Sequence, residues 1–522
     1  MREPDSAASG IPVADVAVVG AGPAGLAATV AAADAGLTVT LIDSAAQTGG
    51  QFWRHPDERT RPTDENRGHH LWRTYTGLRD TLRMHVGTGR ISALFSRQVW
   101  FLEPPADPST PFTLHLTASF GAHQGPAAVR ARRLILCTGG YDRQLPVPGW
   151  DLPGVMAAGG VQALLKAHRT VAGARALVAG TGPFLLPVAT GLAQAGAEVV
   201  AVCEAAAVIR GWARNPLGAL AMPAKAIEGA EYAYHLARHR IPYRTCTVVT
   251  AVHGDDRVTS ATLARLGRDG RIDERAQTVD VDLVAFGWGF TPSLELITAA
   301  GAATRVDVDG SLVAVVDAAQ RSTVPGVYVA GEATGVGGAA LAVAEGELAG
   351  TTAAVDGGHR EPHPRTVRTL TSRITRGRRF AAAMHTAHPV PEHWQDWLRP
   401  DTLVCRCEET TFGSLQNARD DLGAADARTA KLIARPGMGW CQGRVCGFAT
   451  AAIASPCGRP GADELAPIAK RVIAAPVTLG ELAGDDAATA RDTHEPGSAD
   501  QVRYDRPDGA ATGTTATEGG TC

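Results

Sequence analysis

The sequence predicts an α/β chain in which one nucleotide-binding unit is inserted into another, followed by a small helical segment that carries paired cysteines. Three observations predict it. A glycine-rich turn, Gly20-Ala-Gly22-Pro-Ala-Gly25, stands between a strand-like and a helix-like run near the N-terminus. A second turn of the same kind, Gly180-Thr-Gly182-Pro, follows Arg175. Strand-like segments suited to the first unit reappear after the second and end in Gly331-Glu332.

Asp15 opens a short run, apolar from Val16 to Val19, that predicts a strand; the turn follows, and an Ala-rich helical run ends at Gly36. Residues 37–43 (LTVTLID) predict a second strand rich in β-branched residues. Strand, turn, helix and strand within about 30 residues form the context a Rossmann fingerprint requires. Gly20 permits the tight turn. Gly22 lets the backbone approach a pyrophosphate at the helix N-terminus, and Gly25 lets helix and strand pack closely. Asp43, closing the second strand, is placed to accept hydrogen bonds from ribose hydroxyls.

The second unit repeats this plan with strands over 175–179 and 197–204 and a helix over 188–194. Leu185 replaces the third glycine and Pro187 falls in the first helical turn. A nucleotide-domain fold is therefore expected, with Gly180, Gly182 and Glu204 as its candidate ligand residues. Its ligand stays open between NAD(H), another adenine nucleotide and none. If a dinucleotide binds, Glu204 favours a free ribose over a 2′-phosphate. Residues 134–140 predict a strand ending in Thr138-Gly139-Gly140. Residues 327–332 predict another, followed by Gly337-Gly338-Ala339 and a helix to Gly350. Between 54 and 124 a helix around 70–84 and then antiparallel strands are expected.

The expected boundaries are 13–145 with 288–355 for the first unit and 150–287 for the second. A basic linker (356–400), a Cys segment (401–460), an extension (461–485) and a disordered tail (486–522) follow. At about 150 residues per domain, 522 residues allow two to four domains. Lys plus Arg number 50 and Asp plus Glu 53, which excludes a chain built mainly to coat nucleic acid or anionic membrane. Residues 16–33 and 176–197 carry no charge. Each contains a glycine turn, so both read as strand, turn and helix rather than membrane spans. The first residues hold Glu3, Pro4 and Asp5 and no basic stretch, so a cytoplasmic location is expected.

Nine Cys, an odd and unevenly spaced set, argue against a disulfide scaffold. Gly49-Gly50-Gln51-Phe52 has no Cys beside it, and Cys203 and Cys246 stand alone, so dithiol chemistry is not expected. Cys137 reads as a buried small hydrophobe in mid-strand. Cys405-Arg406-Cys407 and Cys441-Gln-Gly-Arg-Val-Cys446 can bring four thiolates together from two loops. Such a set suits an iron–sulfur cluster or zinc, with unliganded structural cysteines as the third reading. Gly437, Gly439, Gly443 and Gly447 free backbone N–H groups for sulfur, and Arg406 and Arg444 are placed to offset thiolate charge. Cys457 and Cys522 read as spares. Residues 360–379, rich in Arg, read as a solvated or partner-docking helix. His385, His388 and His393, near Trp394 and Trp397, read as packing residues, and His69-His70 is open to either reading.

The order GAGPAG, LID, GGQ, LILCTGGYDRQLPVPGW, GTGPFLLP, TVPGVYVAGEATGVGG resembles the two-dinucleotide-domain flavoprotein reductases over residues 13–350. That resemblance implies FAD on the first turn, held by Gly20, Gly22, Gly25 and Asp43. It adds Gly49, Gly50, Gln51, Thr138, Gly139, Gly331, Glu332, Gly338 and Ala339. Gly331 and Glu332 would face the phosphate and ribityl chain, Glu332 standing where the family usually has Asp. Residues 403–457, with GMGWCQGRVCG, resemble the bacterioferritin-associated-ferredoxin type of [2Fe–2S] domain, which implies Cys405, Cys407, Cys441 and Cys446 as ligands. Together the two resemble the large subunit of opine oxidases, proline and hydroxyproline dehydrogenases and hydrogen cyanide synthase. The resemblance implies an oxidoreductase subunit that handles electrons for oxidation of a C–N bond. A smaller flavoprotein subunit would bind the amine or imino acid. Two alternatives are a self-sufficient NADH-dependent reductase and a non-enzymatic iron–sulfur regulator or scaffold. No catalytic acid or base is marked in the sequence.

Overall fold

The computed structural model describes residues 11–58, 69–107, 110–119, 125–455 and 458–482. Cys457, Cys522 and the expected tail at 486–522 lie outside the described residues. Apolar β-branched runs make the first parallel sheet, in the order Val327–Val329, Leu134–Leu136, Val16–Val19, Val39–Ile42 and Ile91–Leu94. Its strands are buried almost throughout, as a sheet covered on both faces requires. The strand order reverses beside Val16–Val19, and ligands of doubly wound sheets bind at such a switch point. Ile91–Leu94 joins this sheet in parallel rather than starting the antiparallel set. That set is Arg97–Glu103, Phe112–Ala118 and Ala128–Ala131, with Val13–Ala14 on its edge.

The helix Pro23–Asp34 starts with Pro in its first turn and carries small residues along its length. It packs on Ala339–Asp356, where Gly346 and Gly350 let the backbones meet. A Cβ on Gly346 would lie 2.0 Å from the Ala24 carbonyl oxygen, and one on Gly350 2.3 Å from that of Ala28. Cys137 stands just past the end of its strand, not within it, because pairing with Val16–Val19 stops at Leu136.

The second parallel sheet runs Val155–Ala157, Leu283–Gly287, Arg175–Gly180, Glu198–Glu204 and Tyr243–Thr245. All of its strands fall between strands of the first sheet in the chain, so the second unit is an insertion. An antiparallel sheet, Thr247–His253, Ser260–Leu266 and Ile272–Asp280, packs beside it.

The expected basic linker is the helix Pro364–Ala387, which buries Leu370, Gly377, Ala381 and Ala383. Arg365, Arg368, Arg373 and Arg376 are exposed, but Arg378 turns inward. Beyond it come the hairpin Leu403–Cys405 with Thr410–Thr411 and the helices Phe412–Asp420, Ala427–Ala434, Gly447–Ala454 and Ala462–Ala469. Trp397, Val404, Leu415 and Ile453 share one hydrophobic core with Val248, Leu263, Phe286 and Trp288 of the inserted unit. Trp150 Nε1 donates to the Leu403 carbonyl at 2.6 Å. Ala427 and Ala451 join the core of the first unit, so the Cys segment is built onto both units. Residues up to Pro476 form one compact unit, and the described part of the second unit contains the short helix Leu479–Leu482. Among the described residues no helix is long and apolar enough to cross a membrane.

Candidate functional site

A cleft of about 2400 Å³ opens at the switch point of the first sheet. Single-ligand pockets occupy roughly 300–1,000 Å³, so this cleft has room for more than one bound group. Gly20, Gly22, Asp43, Gly50, Gln51, Thr138, Gly139, Gly331, Glu332, Gly338 and Ala339 all line it. So do Thr181 and Gly182 of the second turn and Trp440, Cys441 and Arg444 of the Cys loop.

Gly20 has φ +103°, and a Cβ there would stand 2.3 Å from the Cys137 carbonyl oxygen. Only glycine fits this turn. Gly25 lies against the Gly20 carbonyl, buried beneath the turn rather than in the cleft. Asp43 accepts from the backbone N–H groups of Ala21 and, at 2.7 Å, Ala45. It ties the turn to the second strand and keeps lone pairs for a ligand hydroxyl. Gly49 N–H donates to the Ala21 carbonyl at 2.9 Å, which sets Gly50 and Gln51 against the same turn. The Thr138 hydroxyl is turned away and donates to the Ser293 carbonyl at 2.6 Å. Gly139 and Gly338 have open space where a side chain would be.

Glu332 begins a short 3₁₀ turn, Gly331–Thr334. One of its carboxyl oxygens accepts from Gly338 N–H at 3.1 Å, and the other is buried without a partner. Burial pushes the group up to about 7. An orphaned buried oxygen beside open glycine backbone fits a hydroxyl-bearing or phosphate-linked chain laid along the cleft. The turn is held from behind by Glu345, whose carboxylate accepts from Gly331 N–H at 3.0 Å and from the Thr334 hydroxyl at 3.1 Å. Arg378 pairs with Glu345 and donates to the Gly335 carbonyl at 2.7 Å. Neither Glu345 nor Arg378 carries a motif signal.

At the second turn, Gly180 and Gly182 take left-handed φ values of +143° and +104°, as the fingerprint asks. Glu204 differs from a ribose-binding acid. It is fully buried and accepts from the Thr181 hydroxyl at 2.8 Å, Gly182 N–H at 2.9 Å and Ala206 N–H at 3.0 Å. His388 Nδ1 stands 3.1 Å from the same carboxylate, and Tyr243 also bonds to it. Its acceptor sites are filled by the chain itself. His388 is therefore a specific partner rather than a plain packing residue.

The four cysteines come together as pairs. Cys446 donates its S–H to Cys405, which lowers the Cys405 thiol to about 5 and raises that of Cys446. Cys407 lies against Cys441, which reaches it with both backbone N–H and side chain. Gly437 N–H donates to Cys405 Sγ at 3.4 Å, and a Cβ on Gly439 would stand 2.3 Å from Cys407 Cβ. Among the described residues, no group of three or more His, Cys, Asp or Glu side chains is arranged to hold a metal ion. The structure shows two thiol pairs, Cys405 with Cys446 and Cys407 with Cys441, with amide donors to sulfur.

Arg406 and Arg444, the two arginines of the Cys motifs, also have partners besides the thiols. Arg406 lies over the Trp150 ring at 5.0 Å and donates to the Asp151 carbonyl. Arg444 pairs with buried Glu295 at 3.0 Å and donates to the Tyr141 hydroxyl at 2.9 Å and the Cys441 carbonyl at 3.3 Å. Arg471 pairs with the same carboxylate at 2.7 Å and donates to the Gln442 carbonyl at 2.8 Å. Glu295, from the first unit, thus holds the loop between Cys441 and Cys446 through two arginines. Both pairs are carboxylate–guanidinium contacts in a buried setting, and both arginines also interact electrostatically with Cys441.

The sequence profile of the family described as "Pyridine nucleotide-disulphide oxidoreductase" matches residues 14–358. An opine oxidase subunit of Rhizobium meliloti (strain 1021) is 31% identical over 485 residues, which cover 90% of this chain and 98% of that one. Hydrogen cyanide synthase subunit HcnB of Pseudomonas aeruginosa is 30% identical, covering 82% of this chain and 90% of that one. Among solved structures, L-proline dehydrogenase from P. horikoshii superposes with a TM-score of 0.62 at 19% identity. It covers 90% of this chain and 79% of that one, a likeness of fold.

Proposed function

Because the chain belongs to the pyridine nucleotide-disulphide oxidoreductase family as an FAD-dependent oxidoreductase, we propose that it is the electron-handling subunit of a multi-subunit dehydrogenase. The complex oxidises a C–N bond of an amino-acid-like substrate of the opine, proline/hydroxyproline or glycine class. A smaller flavoprotein subunit binds that substrate. The chain would carry FAD on the first turn and a [2Fe–2S] cluster on Cys405, Cys407, Cys441 and Cys446. The single supporting observation is that the first nucleotide turn, Glu332 and the Cys441 loop line one cleft. Both relatives named above are subunits by name, which supports assembly with a partner.

When bound, the flavin accepts electron pairs and the cluster passes single electrons. The residues' part is to hold and insulate. Gly20 makes the tight turn, and Gly22 would bring bare backbone to a pyrophosphate at the start of helix Pro23–Asp34. Asp43 and Glu332 would accept hydrogen bonds from ligand hydroxyls, and Gly49, Gly50 and Gln51 close the first turn from the side. Thr138, Gly139 and Gly331 leave the backbone bare where the ligand passes. Gly437 N–H supplies a hydrogen bond to sulfur, which tunes a thiolate's electron density. The NADH-dependent reductase has less support, since Glu204 is enclosed by Thr181, Gly182, Ala206 and His388. The domain boundaries we propose are 13–145 with 288–355, 150–287, and 401–460 for the Cys segment.

The test is Cys441→Ser in the full chain, purified anaerobically. The variant is expected to keep FAD in wild-type amount while losing the iron–sulfur absorption and electron paramagnetic resonance signal. An unchanged signal would remove Cys441 from the ligand set and with it this reading of the cleft.

A further inference from the structure

The wall of the cleft between the two nucleotide units contains a cation that the proposed cofactors do not use. Lys166 lines the cleft from the inserted unit, on the π-helical turn Leu164–His168. Such turns are rare and concentrate at functional sites. Its ammonium donates to the Phe52 carbonyl of the first unit at 3.2 Å and lies 5.7 Å from the Phe52 ring. Among the described residues no carboxylate pairs with it. Burial pushes it down to about 8.

Basic side chains crowd its surroundings. Arg169 follows on the same turn in a left-handed conformation, φ +54°. Burial, and then Lys166, His55 and Arg169, push His69 down to about 3. The nearby Glu58 is engaged by Arg79, Arg83 and His55. Glu228, which also lines the cleft, is paired with Lys225 at 2.6 Å. A half-buried ammonium with one neutral acceptor is costly to keep, and an incoming anion relieves that cost.

We propose that Lys166 anchors an oxyanion subsite in the cleft between the two nucleotide units. It takes the carboxylate or phosphate group of a small ligand distinct from the flavin. Lys166 would exchange the Phe52 carbonyl, its neutral acceptor, for the ligand's charged oxygen. The neighbouring His70–Tyr232 contact, 3.0 Å long, also spans the two units and borders the same space. A group bound there would touch both units at once.

The test uses FAD-saturated full-length protein at constant ionic strength. Thermal stability is followed during titration with inorganic phosphate and, separately, acetate. A saturable rise in Tm with either anion is expected for wild type and Lys166→Arg, since a ligand of the native state stabilises it. In Lys166→Met the midpoint is expected to shift at least about tenfold to higher anion. Saturation by phosphate alone supports the site and assigns it to a phosphorylated ligand. Saturation by acetate alone supports it and assigns a carboxylate. No saturable effect in wild type, or an equal effect in Lys166→Met, overturns the proposal. So does loss of FAD from a folded Lys166→Met, which would give Lys166 to the flavin.

Discussion

Glu332 shows how much one residue can reveal about a missing partner. Its carboxyl is buried, has one backbone donor and one unpaired oxygen, and is raised to about 7. In the unfolded chain it titrates near the ordinary 4.5. A raised carboxyl binds its proton more tightly when folded. Its contribution is therefore intact below about pH 4.5 and is lost as pH rises through about 7. Flavin-free protein should lose on the order of 3 kcal/mol of stability across that window. Glu332→Gln should abolish that loss. The check is Tm of flavin-free wild type and variant from about pH 5 to about pH 8. Parallel curves would mean that Glu332 is not the titrating group. Glu345 is also raised, by burial, and the difference between the two proteins separates it.

At the scale of elements, the first nucleotide unit depends on two helices that touch through backbone. Gly346→Ala would put a methyl 2.0 Å from the Ala24 carbonyl oxygen. Overpacking of this kind costs about 1–3 kcal/mol or more, and because Ala24 lies in the first turn of the cofactor helix the variant should also bind less FAD. Gly77→Ala, on helix Trp72–Gly87, meets nothing within 4 Å and should stabilise by about 0.5–1 kcal/mol. Tm and flavin content of the two variants measure the contrast.

These elements were legible because their signals are local. Glycine spacing, β-branched runs and the closing acids Asp43 and Glu204 all fall within a few dozen residues. The two Cys motifs were legible by spacing in the same way, but not that Cys405 faces Cys446 and Cys407 faces Cys441. What could not be read was who faces whom. Glu204 and His388 are 184 positions apart, and Lys166 and Phe52 are 114 apart. Arg378 looked like one more arginine of a solvated helix until Glu345 was placed behind the Gly331 turn. Nothing in the sequence places Glu295 beneath Arg444, 149 positions away. Each depends on tertiary placement, which no periodicity encodes.

For the whole molecule, the arrangement separates two tasks. The inserted unit keeps the shape of a nucleotide domain, yet its ribose-facing acid is occupied by the chain itself. Mixing the isolated chain with NADH in a stopped-flow instrument should therefore leave the flavin oxidised on the millisecond-to-second scale. Rapid bleaching would favour the self-sufficient reductase. The Cys segment shares the inserted unit's hydrophobic core and is anchored to the first unit by Glu295, so its thiols are fixed relative to the cleft.

The central claim is that one cleft serves a flavin and a four-thiolate cluster. Flavin, iron, acid-labile sulfide and zinc measured together on anaerobically purified full-length protein test it most directly. We expect about one FAD, two irons and two sulfides per chain, with little zinc. Stoichiometric zinc without sulfide, or cluster-free protein that retains full electron transfer to its partner, would contradict it.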